Sequence, residues 1–178
     1  MFDNVTKSIR VLSAGSVEKA NSGHPGMPLG MADVGTVLYK NFLKVTNNCP
    51  DWINRDRFVL SAGHGSALLY SLLHFNGFDI SIDDMKNFRQ LKSKTPGHPE
   101  LDTKLGIDIT TGPLGQGFAT GVGLALAESY LSNTFGDKII NHFTYGIVSD
   151  GDLMEGLSQE AAELAALWGL GKLIYIFD

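Results

Sequence analysis

The chain has 178 residues, enough for one domain with a sizeable core; 43% of them are hydrophobic and 19% charged. A net charge of −5 with no basic cluster argues against nucleic acid or an anionic membrane as partner, so a bound phosphate must be neutralised locally by a cation or by backbone dipoles. The single cysteine, Cys49, excludes an intrachain disulfide, and no leader-like or membrane-length apolar run occurs, so the expected location is the cytoplasm.

Residues 4–20 read as a helix, with Val5, Ile9, Leu12 and Val17 forming an apolar stripe. The loop Asn21-Ser22-Gly23-His24-Pro25-Gly26 stops it, and Pro28 suits the first turn of a second helix over residues 28–39. After a polar loop, residues 58–60 form a short buried strand. Ser61-Ala62-Gly63-His64-Gly65 follows, and then a helix over Ser66–Phe75 that is apolar nearly all round and therefore buried. Ser81 and Asp84 cap a short helix ending near Gln90. Residues 92–110 are irregular and contain Pro96-Gly97-His98-Pro99.

Thr111-Gly112-Pro113-Leu114-Gly115-Gln116-Gly117 leads into a small-residue helix reaching about Ser132. A strand over residues 142–148 then empties into Ser149-Asp150-Gly151-Asp152. A helix over residues 153–168, a break at Gly169-Leu170-Gly171 and a strand over Leu173–Phe177 complete the chain. Strand and helix alternate in the second half, which predicts an α/β fold: a parallel sheet with right-handed crossovers. No repeat and no linker divides residues 1–178, so they are read as one partial domain.

Three of the five histidines, His24, His64 and His98, directly follow a glycine in a loop. Chance would place so many there in roughly 1% of shuffled chains of this composition, which favours function over three unrelated turns. Neutral imidazole both donates and accepts hydrogen bonds, and its pKa lies near working pH, so it suits proton transfer to hydroxyls and carbonyls. His74 and His142 lack this setting and read as structural. No Cys pair or His-Glu-x-x-His spacing points to zinc, and the glycine-rich stretch holds neither a P-loop nor a complete G-x-G-x-x-G.

The Asp150-Gly151 corner is a ready site for a metal-bound phosphate: carboxylate for the cation, glycine for close approach, and a helix start that favours negative charge. Ligands in parallel sheets bind at strand C-termini, as this corner requires. An ordinary turn is the plain alternative, and Glu155 and Glu160 also suit the positive end of the following helix. Gly117, Gly121 and Gly123 cost helix stability, so each is expected to meet a close packing partner, in the sheet or across a subunit interface.

Taken in order, Ala20-Asn-Ser-Gly-His-Pro-Gly26, Leu60-Ser-Ala-Gly-His64, Phe88-Arg-Gln90 with Thr95-Pro-Gly-His-Pro-Glu100, Thr110-Thr-Gly-Pro-Leu-Gly-Gln-Gly117 and Asp150-Gly151…Glu155-Gly156 resemble the transketolase family of thiamine-diphosphate enzymes. The resemblance runs from about Lys7 to Asp178 and covers the front of the family's diphosphate-binding domain, a parallel sheet with helices on both faces. It implies that Asp150 ligates a divalent metal (Mg2+, or Ca2+ or Mn2+) and Gly151 contacts the diphosphate. It implies that His64, Gly112, Pro113 and Leu114 bind the thiamine diphosphate, and that His24 and His98 face the sugar and move protons. Glu155 and Glu160 are implied to communicate between the active sites of a homodimer. Ser149, where the family usually has glycine, and the charge of Asp152 are departures that bear on the phosphate geometry.

The implied parent activity transfers a two-carbon ketol unit between sugar phosphates. The second metal ligand and the sugar-phosphate grip are expected beyond Asp178, so the 178 residues alone are expected to be inactive. A dihydroxyacetone synthase-like sister enzyme, and a non-catalytic split subunit or assembly module, are the alternative readings; a generic Mg-nucleotide protein is a third.

Overall fold

The computed structural model describes residues 2–178. Its centre is a three-stranded sheet, β1 (Arg57–Leu60), β2 (Thr144–Val148) and β3 (Leu173–Phe177), in the order β1-β2-β3. Both pairings are parallel, with Phe58 opposite Tyr145 and Tyr145 opposite Ile174. The predicted strand at 142–148 thus begins two residues later. His142 and Phe143 precede the ladder, where Asp56 Oδ1 accepts a hydrogen bond from the Phe143 amide at 2.7 Å.

Side chains alternate across a strand, and helices cover both faces of this sheet. On one face Phe58, Leu60, Tyr145, Ile147 and Ile176 meet α1 (Phe2–Ala20), α3 (Ala32–Val37) and α4 (Ser66–Phe75). In α4 every residue from Ser66 to Leu73 is buried, as its all-round apolar pattern requires; each fully buried leucine there contributes about 1.5–3 kcal/mol. On the other face Val148, Leu173 and Tyr175 meet α6 (Gln116–Phe135) and α8 (Gly156–Leu167). The expected α/β fold with helices on both faces is observed. No helix among the described residues is long and apolar enough to cross a membrane.

Two predicted helices are interrupted. The one expected over 28–39 is α2 (Gly26–Gly30) followed by α3, separated at Met31, whose ψ of 4° is not helical; a π-helical turn then spans Leu38–Phe42. The one expected over 153–168 is α7 (Asp150–Met154) and then α8, because Glu155 is extended at φ −75° and ψ 133°. Periodicity misses both breaks because the apolar positions keep their spacing across a one-residue kink. α5 (Ile82–Lys86) has the expected capping box: Ser81 Oγ accepts from the Asp84 amide and the Asp84 carboxylate from the Ser81 amide.

The helix glycines divide. Methyl groups at Gly117 and Gly121 would overlap Ser61 and the Tyr175 ring end, so packing of α6 on the sheet accounts for both. Among the described residues Gly123 has nothing within 4 Å of that position, so packing on the sheet does not account for it. His74 is structural as read, its Nδ1 donating to the Ile80 carbonyl at 2.6 Å.

Candidate functional site

Five loops meet at the C-terminal edge of the sheet. The loop after β1 tightens at Gly63–Gly65 into a single 3-10 turn and presents His64. A methyl group at Gly63 would lie 2.6 Å from Thr111 Oγ1 and 2.9 Å from the Gly112 nitrogen, so the 61–65 loop rests directly on the 111–115 loop. Gly65 is pressed against the Met27 side chain, which brings the loop before α2, and with it His24, onto the same corner. The His24 and His64 rings meet edge to face at 5.1 Å between centroids. His98 packs on Gly112, whose φ of +148° is open only to glycine; a methyl group there would stand 3.3 Å from His98 Cγ. Three loops distant in sequence thus gather His24, His64 and His98 around Gly112.

The second half of the corner follows β2. Asp150 is exposed at the start of α7, and among the described residues only its Oδ1 is engaged, accepting from the Gly151 amide at 2.8 Å. A methyl group on Gly151 would lie 3.1 Å from Leu114 Cδ1, so Leu114 overhangs the Asp-Gly pair. Gly115, in the left-handed region at φ +79°, opens α6; a methyl group there would meet Glu155 Cβ at 3.0 Å and Ser158 Oγ at 3.1 Å. Pro113 lies exposed within this loop, and Glu155 is the exposed kink between α7 and α8. Glu160 is not gathered with them: it stands exposed on α8, with no hydrogen bond or ion pair to another described residue.

Four residues given no site role by the sequence reading belong to this edge. Asp152, read as a disturbance of the phosphate geometry, is fully buried and organises it. Its Oδ1 accepts from Ser61 Oγ and from the Gly115 amide, both at 2.9 Å, and its Oδ2 from the Ser149 amide at 3.1 Å. Ser149 in turn caps α7 in a reciprocal capping box, a role glycine could not fill. The Ser-x-x-Asp spacing announces that box in the sequence, and Ser61 follows directly on an apolar run. Arg89, the fourth, lies in the Phe88-Arg-Gln90 segment of the family resemblance, which gave it no role of its own.

Arg89 holds a left-handed backbone at φ 62°, its amide donating to the Thr95 carbonyl at 2.9 Å and its Nη1 to Ser22 Oγ at 2.9 Å. Partial desolvation, the neighbouring His64 and the Arg89 guanidinium hold His24 below the usual histidine pKa of 6.5. Partial desolvation, Arg89 and the other two histidines do the same for His98. Both imidazoles therefore favour the neutral form at pH 7. Arg89→Gln removes a positive charge, which makes protonation easier, while the desolvation remains. Both pKa values are expected to rise part of the way toward 6.5 in an NMR titration of the histidine ring protons; unchanged values would show that Arg89 does not act on them.

Residues 2–178 match the family model described as the transketolase, thiamine diphosphate binding domain. The chain belongs to the transketolase family. It is 58% identical to the transketolase of Bacillus subtilis over 174 residues, which are 96% of this chain and 26% of that one. Among solved structures, transketolase from Leishmania mexicana aligns over 100% of this chain and 27% of its own, with a TM-score of 0.96 and 50% identity. Transketolase from Campylobacter jejuni aligns over 99% of this chain and 28% of its own, with a TM-score of 0.96 and 53% identity. The chain thus spans about a quarter of the length of these transketolases, in the region that binds thiamine diphosphate.

The corner fits such a group. Glycines at 63, 112, 115 and 151 let the surrounding loops pack closely on one another and leave backbone at the corner, and among the described residues Asp150 offers a carboxylate with one oxygen disengaged. Among the described residues no group of three or more His, Cys, Asp or Glu is placed to hold a metal ion. A cation here would need ligands besides Asp150, from the diphosphate, from water and from further protein groups.

Proposed function

We propose that residues 1–178 form one partial domain, the diphosphate- and metal-holding front of an enzyme that transfers a two-carbon ketol unit from a ketose phosphate to an aldose phosphate. The observation that carries this reading is the convergence of three Gly-His loops and the Asp150-Gly151 corner on one edge of the sheet, in a chain of this family.

Asp150 would hold Mg2+, Ca2+ or Mn2+, and Gly151 would let the backbone approach the diphosphate. His64 would bind the cofactor, with Gly112 and Pro113 lining its pocket and Leu114 giving an apolar contact. Thiamine diphosphate, when bound, supplies the electron sink that lets a carbon–carbon bond beside a carbonyl break and form. His24 and His98, which favour the neutral form at pH 7, donate and accept hydrogen bonds to sugar hydroxyls and move protons at them. Glu155 and Glu160 are assigned to communication across a homodimer whose active sites lie at the subunit interface. The setting is the cytoplasm, and the substrates are sugar phosphates.

Two assays test this. Calorimetry of the full-length chain should show thiamine diphosphate binding that requires a divalent cation and that ATP does not compete away. Two-carbon transfer should follow from xylulose-type ketose phosphates to aldose phosphates, whereas the 178-residue chain alone should give none. Saturable ATP binding without thiamine diphosphate binding would overturn the reading. Turnover by the isolated 178 residues would overturn the requirement for the rest of the enzyme. A substrate panel in which formaldehyde is the preferred acceptor would favour the dihydroxyacetone synthase-like sister.

A further inference from the structure

We propose that Asp152 is the positioning residue of the cradle, setting the spacing of the loops that surround the diphosphate without touching it. This rests on the thiamine-diphosphate reading above. The carboxylate is fully buried, and no cationic side chain pairs with it among the described residues. Burying an unpaired charge is costly, so it persists only where several donors converge on it. Here they come from three separate segments: Ser61 at the end of β1, Gly115 at the start of α6, and Ser149 at the end of β2, through both its amide and its hydroxyl. The Asp152 carbonyl is also tied, accepting from Ser158 Oγ at 2.6 Å on α8.

Each segment carries part of the candidate site. Ser61 leads to His64, Gly115 ends the loop of Gly112, Pro113 and Leu114, and Ser149 precedes Asp150 and Gly151. Two of the donors are backbone N–H groups, one on each carboxylate oxygen, and these cannot reverse their polarity. Only an acceptor-only group satisfies both. An asparagine must turn its NH2 toward either Gly115 N–H or Ser149 N–H, setting donor against donor and parting one loop from the others.

Asp152→Asn in the full-length chain is the test. Without cofactor, amide exchange at Gly115 or Ser149 should quicken, which reports on the tie whatever the ligand. Thiamine diphosphate affinity, measured by calorimetry with Mg2+ present, should fall about 10- to 100-fold, the usual cost of removing an orienting partner behind a metal site. Ile80→Val, a core change away from the cradle, serves as a stability control: at a matched loss in Tm it should leave affinity unaltered. Ser61→Ala, which keeps both backbone bonds, should weaken binding only a few-fold and serves if Asp152→Asn does not fold.

Unchanged exchange at both amides, or an affinity loss no greater than in Ile80→Val, would overturn the proposal, as would wild-type affinity in Ser61→Ala beside an unfolded Asp152→Asn. A wild-type chain that binds no thiamine diphosphate would instead overturn the functional reading, and quickened exchange would then still establish the tie.

Discussion

Asp150→Ala is expected to cost more than about 100-fold in thiamine diphosphate affinity with Mg2+ present, while leaving the fold essentially as stable as before. Replacing an outer-shell partner of a metal costs about 10- to 100-fold, and removing Asp150, the ligand proposed above, should exceed that. The loss corresponds to more than about 2.7 kcal/mol of binding. Stability should hold because Asp150 is exposed and its one hydrogen bond among the described residues is to the adjacent Gly151 amide. Alanine is also a good helix former, so the change falls among surface substitutions within about 0.5 kcal/mol.

Asp150→Asn separates charge from shape: it keeps an oxygen for the cation but loses the negative charge, and should fall between wild type and alanine. Calorimetry with and without Mg2+ reads both effects. Affinity of Asp150→Ala within threefold of wild type would remove Asp150 from the metal. A large fall in Tm would show that it acts through the fold instead.

Gly117→Ala is expected to destabilise the protein, against the direction of helix propensity. Alanine gains about 1 kcal/mol over glycine in a helix interior. At Gly117, however, the added methyl would lie 2.5 Å from Ser61 Cα and 2.8 Å from Ser61 Oγ. Ser61 Cα is backbone in a fully buried residue at the end of β1, so it cannot turn aside as a side-chain tip would. Overpacking of this kind costs about 1–3 kcal/mol, at the upper end where backbone must shift. The net loss of about 1–2 kcal/mol should lower Tm by about 2–8 °C for a chain of this size.

Cofactor affinity should fall too, because the displaced Ser61 carries the hydroxyl bonded to Asp152. Gly123→Ala, on the same helix with nothing within 4 Å among the described residues, is the matched comparison and should gain the full propensity term of about 1 kcal/mol. Equal Tm changes in the two variants would show that α6 does not press on the end of β1 as described.

Composition and pattern alone made much of this legible. Alternating strand and helix signals fixed the parallel sheet, because a parallel pair needs a covering crossover and leaves few other arrangements. The all-round apolar run of α4 announced a buried helix, and the ordered Gly-His and Asp-Gly motifs announced the family. These are local signals, written in residue type and spacing. The kinks at Met31 and Glu155 were hidden because they change one residue's backbone and leave the periodicity intact.

The meeting of His24 with His64, and of His98 with Gly112, depends on which loops the sheet order brings together. Asp152 shows the difference most sharply. In the sequence it is a stray charge beside a phosphate corner. In the fold, donors from positions 61, 115 and 149 converge on it. Spacing along the chain could announce Asp150, since a strand end and a helix start are local. Only tertiary structure could decide Asp152, since the groups that satisfy a buried carboxylate are set by packing.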